Sequence, residues 1–247
     1  MSLYTLLANN IILNNILIAL KLDYKKELAA GQWKAFKYNE EKSIQQNAGF
    51  SHTAEVEEAI EKVKSKLQFT LRELIPNKSN VLDFGCGPGI YLNLLQHDYD
   101  VTGVDVSEGM LQSASKLVPS AQLYHGNFLN IQFDKKFYAI YSISVLEYVP
   151  VSQIDNFFKK CSNILQNKGV IFIQYPHALN KKDLYYPDRN YINYSPQLIS
   201  KVASNYFTIL EHSQSFDARP VCKYDKKPYP TTSKTFKNGY LLIAQKK

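Results

Sequence analysis

"VLDFGCGPGIYLNLL" spans residues 81–95. A short apolar run ends at Asp83 and Phe84, glycines follow at Gly85, Gly87 and Gly89, and apolar residues then recur at helical spacing. This is the pattern of a strand that enters a helix through a tight turn. Glycine lets the backbone approach a ligand closely. Open α/β sheets bind their ligands just outside the carboxyl ends of the strands. The stretch therefore predicts a nucleotide-like ligand.

Dinucleotide-binding enzymes use a similar turn, so glycine spacing alone does not choose the ligand. Asp83 does. A pyrophosphate on this turn would be repelled by a carboxylate two residues before the first glycine. Gly89 also arrives one residue early for the third position of the dinucleotide pattern, where Ile90 stands. S-Adenosylmethionine has no phosphate, and its ammonium group makes an aspartate attractive through charge-assisted hydrogen bonding. Asp105, twenty residues after Gly85, ends the next apolar run and can accept both hydroxyls of a ribose. Asn127, past the third run, can accept from an adenine amino group and donate to a ring nitrogen.

Working outward, strands are expected at 80–84, 101–106, 121–125, 137–143, 169–175, 207–213 and 239–245. Helices are expected at 52–74, from about 88 to 96, from about 108 to 116, at 152–166 and at 195–204. Strands separated by helices of this length imply right-handed crossovers and a largely parallel sheet covered on both faces. "GVIFIQY" (169–175) is almost continuously apolar, as a strand buried on both faces would be. Only a loop separates the last two strands, so they are expected to pair antiparallel.

The chain of 247 residues carries a net charge of +7, which reads as a lysine-rich surface, with nucleic acid as the other partner such a charge allows. Cys86, Cys161 and Cys222 form no CxxC pair, which argues against a disulfide scaffold or a metal site and fits a cytoplasmic protein. Residues 1–48 are expected to form a helical cap or interaction segment, and residues 49–247 the binding domain. The run "LYTLLANNIILNNILIALKL" is apolar almost all round a helix but is broken by Asn9, Asn10, Asn14 and Asn15. Four amides in hydrocarbon would be costly. No basic stretch precedes the run, so it makes a poor secretory signal. It predicts a helix packed on the main domain or on a second subunit, the latter giving a homodimer, rather than a transmembrane segment.

"VLDFGCGPG", "VTGVDVSEGML", "HGNF", "YAIYSISVLEYV" and "LQNKGVIFIQYP" together resemble, in order and spacing, the successive motifs of class I S-adenosylmethionine-dependent methyltransferases. The resemblance covers roughly residues 50–247. It implies a Rossmann-like α/β fold, a seven-stranded, mostly parallel, doubly wound sheet whose last strand is antiparallel. It also implies S-adenosyl-L-methionine as cofactor. By that similarity Asp83 serves the methionine part, Gly85, Cys86 and Gly87 line the cofactor through backbone, and Asp105 holds the ribose. Val106 and Met110 would flank the adenine, and Ser142 and Val145 would approach the sulfonium. Two positions depart from the pattern: Asn127 stands where many relatives carry aspartate, and Tyr148 takes the last place of a frequent "LEH".

In this architecture the methyl acceptor lies above the ends of the fourth and fifth strands. There the sequence "QYPHALNKKDLYYPDRNYINYS" supplies Tyr175, Tyr185 and Tyr186 as candidate acceptor-binding rings and His177 as candidate base. Glu147 and Tyr148 are the second-choice bases. The expected activity is methyl transfer to oxygen or nitrogen of a small molecule. The alternatives are an RNA methyltransferase, suggested by the charge, and a non-catalytic cofactor-binding partner protein.

Overall fold

The computed structural model describes residues 39, 41–42, 54–176, 194–215 and 239–247. The segment 1–48 expected as a cap lies almost wholly outside the described residues, and so do His177, Tyr185 and Tyr186. Helix α1 (Ala54–Leu74) repeats Ala59, Ile60, Val63, Leu67 and Leu71 at three- and four-residue spacing, and all five are buried. Next come β1 (Asn80–Phe84), α2 (Ile90–Leu95), β2 (Asp100–Asp105), α3 (Glu108–Leu117), β3 (Gln122–His125) and β4 (Phe137–Ile143). They are followed by α4 (Ile154–Ile164), β5 (Leu165–Pro176), α5 (Pro196–Ala203), β6 (Phe207–Ser215) and β7 (Gly239–Lys246). Short 3-10 turns at Phe128–Asn130 and Leu146–Tyr148 lie on the path out of β3 and β4.

The seven strands form one sheet in the order β3-β2-β1-β4-β5-β7-β6. Pairs from β3 through β5 are parallel, and β7 runs antiparallel to both β5 and β6. This is the seven-stranded, doubly wound sheet that the motif order implies, with its one reversed strand. Both faces are covered. Leu82, Ile140, Ile171 and Ile173 pack under Phe157, Phe158 and Cys161 of α4 and Ile199 of α5. Val81, Ala139, Val170 and Phe172 pack under α1, α2 and α3 through Leu67, Leu71, Leu92, Leu95 and Leu111.

Among the element boundaries that differ from expectation, two bear on the site and the sheet. Helix α2 begins at Ile90 rather than Pro88, because the turn is still being closed by the Gly89 amide, which donates to the Cys86 carbonyl at 3.0 Å. Helix α4 stops at Ile164, and residues 165–169 already belong to β5. The register there shifts from Phe137 opposite Leu165 to Ala139 opposite Val170.

From β1 the chain moves outward to β2 and β3, then returns to the other side of β1 as β4. The strand order therefore reverses at β1 and β4, and a crevice opens at their carboxyl ends. Among the described residues, no helix is long and apolar enough to cross a membrane.

Candidate active site

A cavity of about 190 Å³ occupies that crevice. Its wall comes from the turn after β1, the ends of β2, β3 and β4, and the first turn of α3. The glycine turn is tied down by its own backbone. Amides of Gly85 and Cys86 both donate to the Val104 carbonyl, at 2.8 and 3.0 Å. Gly85 has φ +77°, and a Cβ there would lie 2.4 Å from a Val145 methyl. Glycine is thus required both by conformation and by the approach of the β4 loop. At Gly87 an added Cβ would meet nothing within 4 Å, so this part of the wall stands open.

Asp105 closes β2 and organises the crevice. Its Oδ2 accepts from the Gly87 amide at 2.9 Å and its Oδ1 from the Ser107 amide at 2.8 Å. Each oxygen keeps lone-pair capacity, so the carboxylate is fixed in position and can still accept from a diol. Burial raises its pKa, while the amides of Ser107, Gly87 and Val106 and the nearby His125 pull it down. Ser107 also caps α3 by accepting from the Met110 amide at 3.3 Å, which brings Met110 to the wall beside Val106.

Asp83 differs. It is 2% exposed and lines the cavity, and its Oδ2 has no hydrogen-bond partner. Burial and then the charge of Asp105 raise its pKa well above the ordinary carboxylate range, and the neighbouring Tyr141 phenol pulls the other way. A buried acceptor with no donor is costly. A donor or a cation arriving from the cavity would remove that cost. The described wall holds two carboxylates, Asp83 and Asp105, and no lysine, arginine or histidine. That charge pattern suits a cationic nucleoside and opposes a pyrophosphate.

The remaining expected residues divide. Cys86, Val106, Met110, Asn127, Val145 and Tyr148 line the cavity with the glycines. The Cys86 thiol is buried and pushed up in pKa by burial and by the charges of Asp105 and Asp83, so its thiol is held protonated and contributes bulk rather than nucleophilicity. The Oδ1 of Asn127 accepts from the Leu129 amide at 3.0 Å, so the side chain is a turn cap as well as wall.

Three expectations need correction. Ser142 is fully buried outside the wall, and its hydroxyl donates to the Phe84 carbonyl at 3.0 Å, tying β4 to β1. The serine on the wall is Ser144, held at φ +57° by its amide donating to the Gln174 carbonyl and its hydroxyl donating to Gln174 Oε1. Tyr175 is fully buried, stacks near Tyr240, and shares a 2.7 Å hydrogen bond with His212, so its ring belongs to the core and not to the cavity. Glu147 is 1% exposed and likewise outside the wall, unlike its neighbour Tyr148. Tyr91, Phe128 and Ile143 are among the wall residues that the sequence does not single out, because apolar residues near element ends carry no signal of their own there.

Comparison with known proteins agrees with this geometry. Residues 81–169 match the family model described as a methyltransferase domain. A trans-aconitate 2-methyltransferase of Escherichia fergusonii is 27% identical over 146 residues, 53% of this chain and 56% of that protein. A dTDP-3-amino-3,4,6-trideoxy-alpha-D-glucopyranose N,N-dimethyltransferase of Streptomyces venezuelae is 34% identical over 74 residues, 30% of this chain and 31% of that protein. The chain thus spans about half the length, or less, of these curated relatives. In fold it is similar to the N-methyltransferase NodS of Bradyrhizobium japonicum, solved with S-adenosyl-L-homocysteine, at TM-score 0.63 and 13% identity over 90% of this chain and 98% of that one. It is also similar to a TehB-like S-adenosylmethionine-dependent methyltransferase of Corynebacterium glutamicum, at TM-score 0.56 and 17% identity over 90% of this chain and 98% of that one. Residues 81–169 thus match a methyltransferase domain, and the seven-stranded sheet that carries them has the fold of S-adenosylmethionine-dependent methyltransferases.

Proposed function

We propose that this protein transfers the methyl group of S-adenosylmethionine to oxygen or nitrogen of a small-molecule acceptor. The observation that carries the cofactor half is the described cavity wall, with the carboxylates of Asp83 and Asp105 and no basic side chain among its described residues. Asp83 would accept from the ammonium group, Asp105 from the ribose, and Val106 and Met110 would flank the base. The bound cofactor supplies an electrophilic methyl group on a cationic sulfur. What the chain supplies is position and a water-poor wall. Alignment of reactants alone contributes about 7–11 kcal/mol in favourable cases.

The acceptor half of the reading draws on the curated relatives, whose names give trans-aconitate and a deoxyamino sugar nucleotide as what those enzymes methylate. Both are small, and one is methylated at nitrogen. Tyr148 stands in the wall, and His177 follows Pro176 in sequence at the end of β5. We assign His177 as the group that takes the proton of an acceptor hydroxyl or ammonium, with Tyr148 in reserve and Tyr185 and Tyr186 as acceptor-binding rings. Base catalysis contributes about 10²–10⁴-fold. His177→Ala is expected to lower turnover within that range and to leave cofactor affinity unchanged. A loss smaller than about threefold, with an unaltered pH profile, would remove His177 from the mechanism.

The reading as a whole is tested with methyl-labelled cofactor and a cell extract divided into small-molecule, protein and RNA fractions. Label is expected in the small-molecule fraction. Label in RNA, retained at moderate salt, would favour the reading suggested by the +7 charge. No label in any fraction, with cofactor binding intact, would favour a non-catalytic partner protein.

A further inference from the structure

Lys160 lies on α4, outside the described cavity wall. Its ammonium donates to two backbone carbonyls of the loop that leaves β3, those of Leu129 at 3.1 Å and Ile131. It also sits 5.2 Å from the centre of the Phe128 ring and 5.7 Å from that of Phe133. Among the described residues it has no carboxylate partner. Burial lowers its pKa, the nearby Cys161 opposing. A half-buried cation without a counterion is costly unless its donors are used and aromatic faces screen it. Here both conditions are met by one loop.

That loop borders the cavity where β3 ends. Gly126, Asn127, Phe128 and Leu129 all line the wall. The Asn127 Oδ1 caps the loop from its start, and Lys160 holds it from behind at Leu129 and Ile131. Resting on the cofactor reading above, we propose that Lys160 is a positioning residue for the nucleoside half of the cofactor. By clamping residues 127–131 it keeps Asn127 and Phe128 at the distance the base requires. It touches no ligand itself.

The test measures affinity by calorimetry for two probes, S-adenosylhomocysteine and plain adenosine, on wild type, Lys160→Met and Lys160→Arg. Methionine keeps the apolar stem over the rings and removes the donors. Lys160→Met is expected to weaken both probes by the same factor, on the order of tenfold, as loss of a charged donor would. Lys160→Arg, which keeps charge and donors, is expected to recover most of it. Melting curves taken alongside are expected to show each variant fully folded at the titration temperature; if instead the affinity loss tracks a loss of folded protein, Lys160 serves stability alone and the inference is overturned. If the methionine variant does not fold, Lys160→Gln, which keeps one donor group, is read for the same paired loss. Affinities unchanged within about twofold, or a loss confined to S-adenosylhomocysteine, would overturn the inference. Failure of the wild type to bind S-adenosylhomocysteine would instead overturn the cofactor reading.

Discussion

At the scale of single residues, Asp83 carries a conflict between stability and binding. A carboxyl whose folded pKa is raised favours the folded protein at low pH, and that contribution is lost as pH climbs from about 3.9 through the raised value. At neutral pH the protein without cofactor therefore bears the strain of a buried carboxylate whose Oδ2 has no partner. Asp83→Asn is expected to raise the melting temperature of the ligand-free protein while weakening S-adenosylhomocysteine by about 10–100-fold, the value of a charged hydrogen bond. Wild-type affinity should also fall as pH drops below the raised pKa, and the asparagine variant should be flat. A variant with lower stability and unchanged affinity would show that Asp83 serves the fold alone. Gly85 gives a second case. Gly85→Ala meets both a left-handed φ and the Val145 methyls at 2.4 and 2.5 Å. The conformational part costs about 1–2 kcal/mol, and the clash adds to it. Adding Val145→Ala should recover the clash and leave the conformational cost, as paired denaturation curves would show.

At the scale of elements, the edge beyond β5 is joined by one imidazole. His212 on β6 shares its Nε2 with the Tyr175 hydroxyl of β5 at 2.7 Å and its Nδ1 with the Ser200 hydroxyl of α5 at 2.6 Å. Tyr240 of β7 packs edge-on against it. Burial lowers the pKa of this histidine. A depressed histidine contributes stability that is complete above its ordinary value of about 6.5 and is lost as pH falls toward the folded value. Urea midpoints taken between about pH 7 and pH 5 should therefore decline for wild type more than for His212→Gln. Parallel declines would mean that other groups set the acid sensitivity. The same tie keeps Tyr175 from serving as an acceptor-binding ring: its hydroxyl already has a partner across the sheet.

At the scale of the whole molecule, every described residue that lines the cavity lies between Asp83 and Pro150. The cofactor site is thus assembled by β1 to β4 and their turns. Deleting residues 1–48 is expected to leave S-adenosylhomocysteine affinity unchanged in any truncation that stays in solution, and to lower acceptor turnover if the segment is the cap its apolar pattern suggests. Full turnover by such a truncation would make the segment a contact with a second copy or another surface. Lost cofactor affinity would mean that it braces the site itself.

The sequence by itself determined the strand–turn–helix at residues 81–95, the alternation that builds a parallel sheet, and the pair Asp83 and Asp105. These follow from local chemistry: glycine where the chain must turn tightly, apolar runs of strand length, and carboxylates at strand ends where a ligand must be met. Only the tertiary structure decided which side chains reach the cavity. Strands β4 and β5 are buried on both faces and read as nearly continuous apolar runs, so the sequence holds no record of which parity faces which layer. Ser142 and Ser144 differ by two positions, yet the left-handed turn at Ser144 places one on the wall while the other ties β4 to β1. Tyr175 shares its face with Ile171 and Ile173 and is drawn into the core with them. Lys160 reaches Leu129 and Ile131 only because α4 folds back across β4 onto the loop after β3, a contact spanning about thirty residues of chain that no local pattern announces.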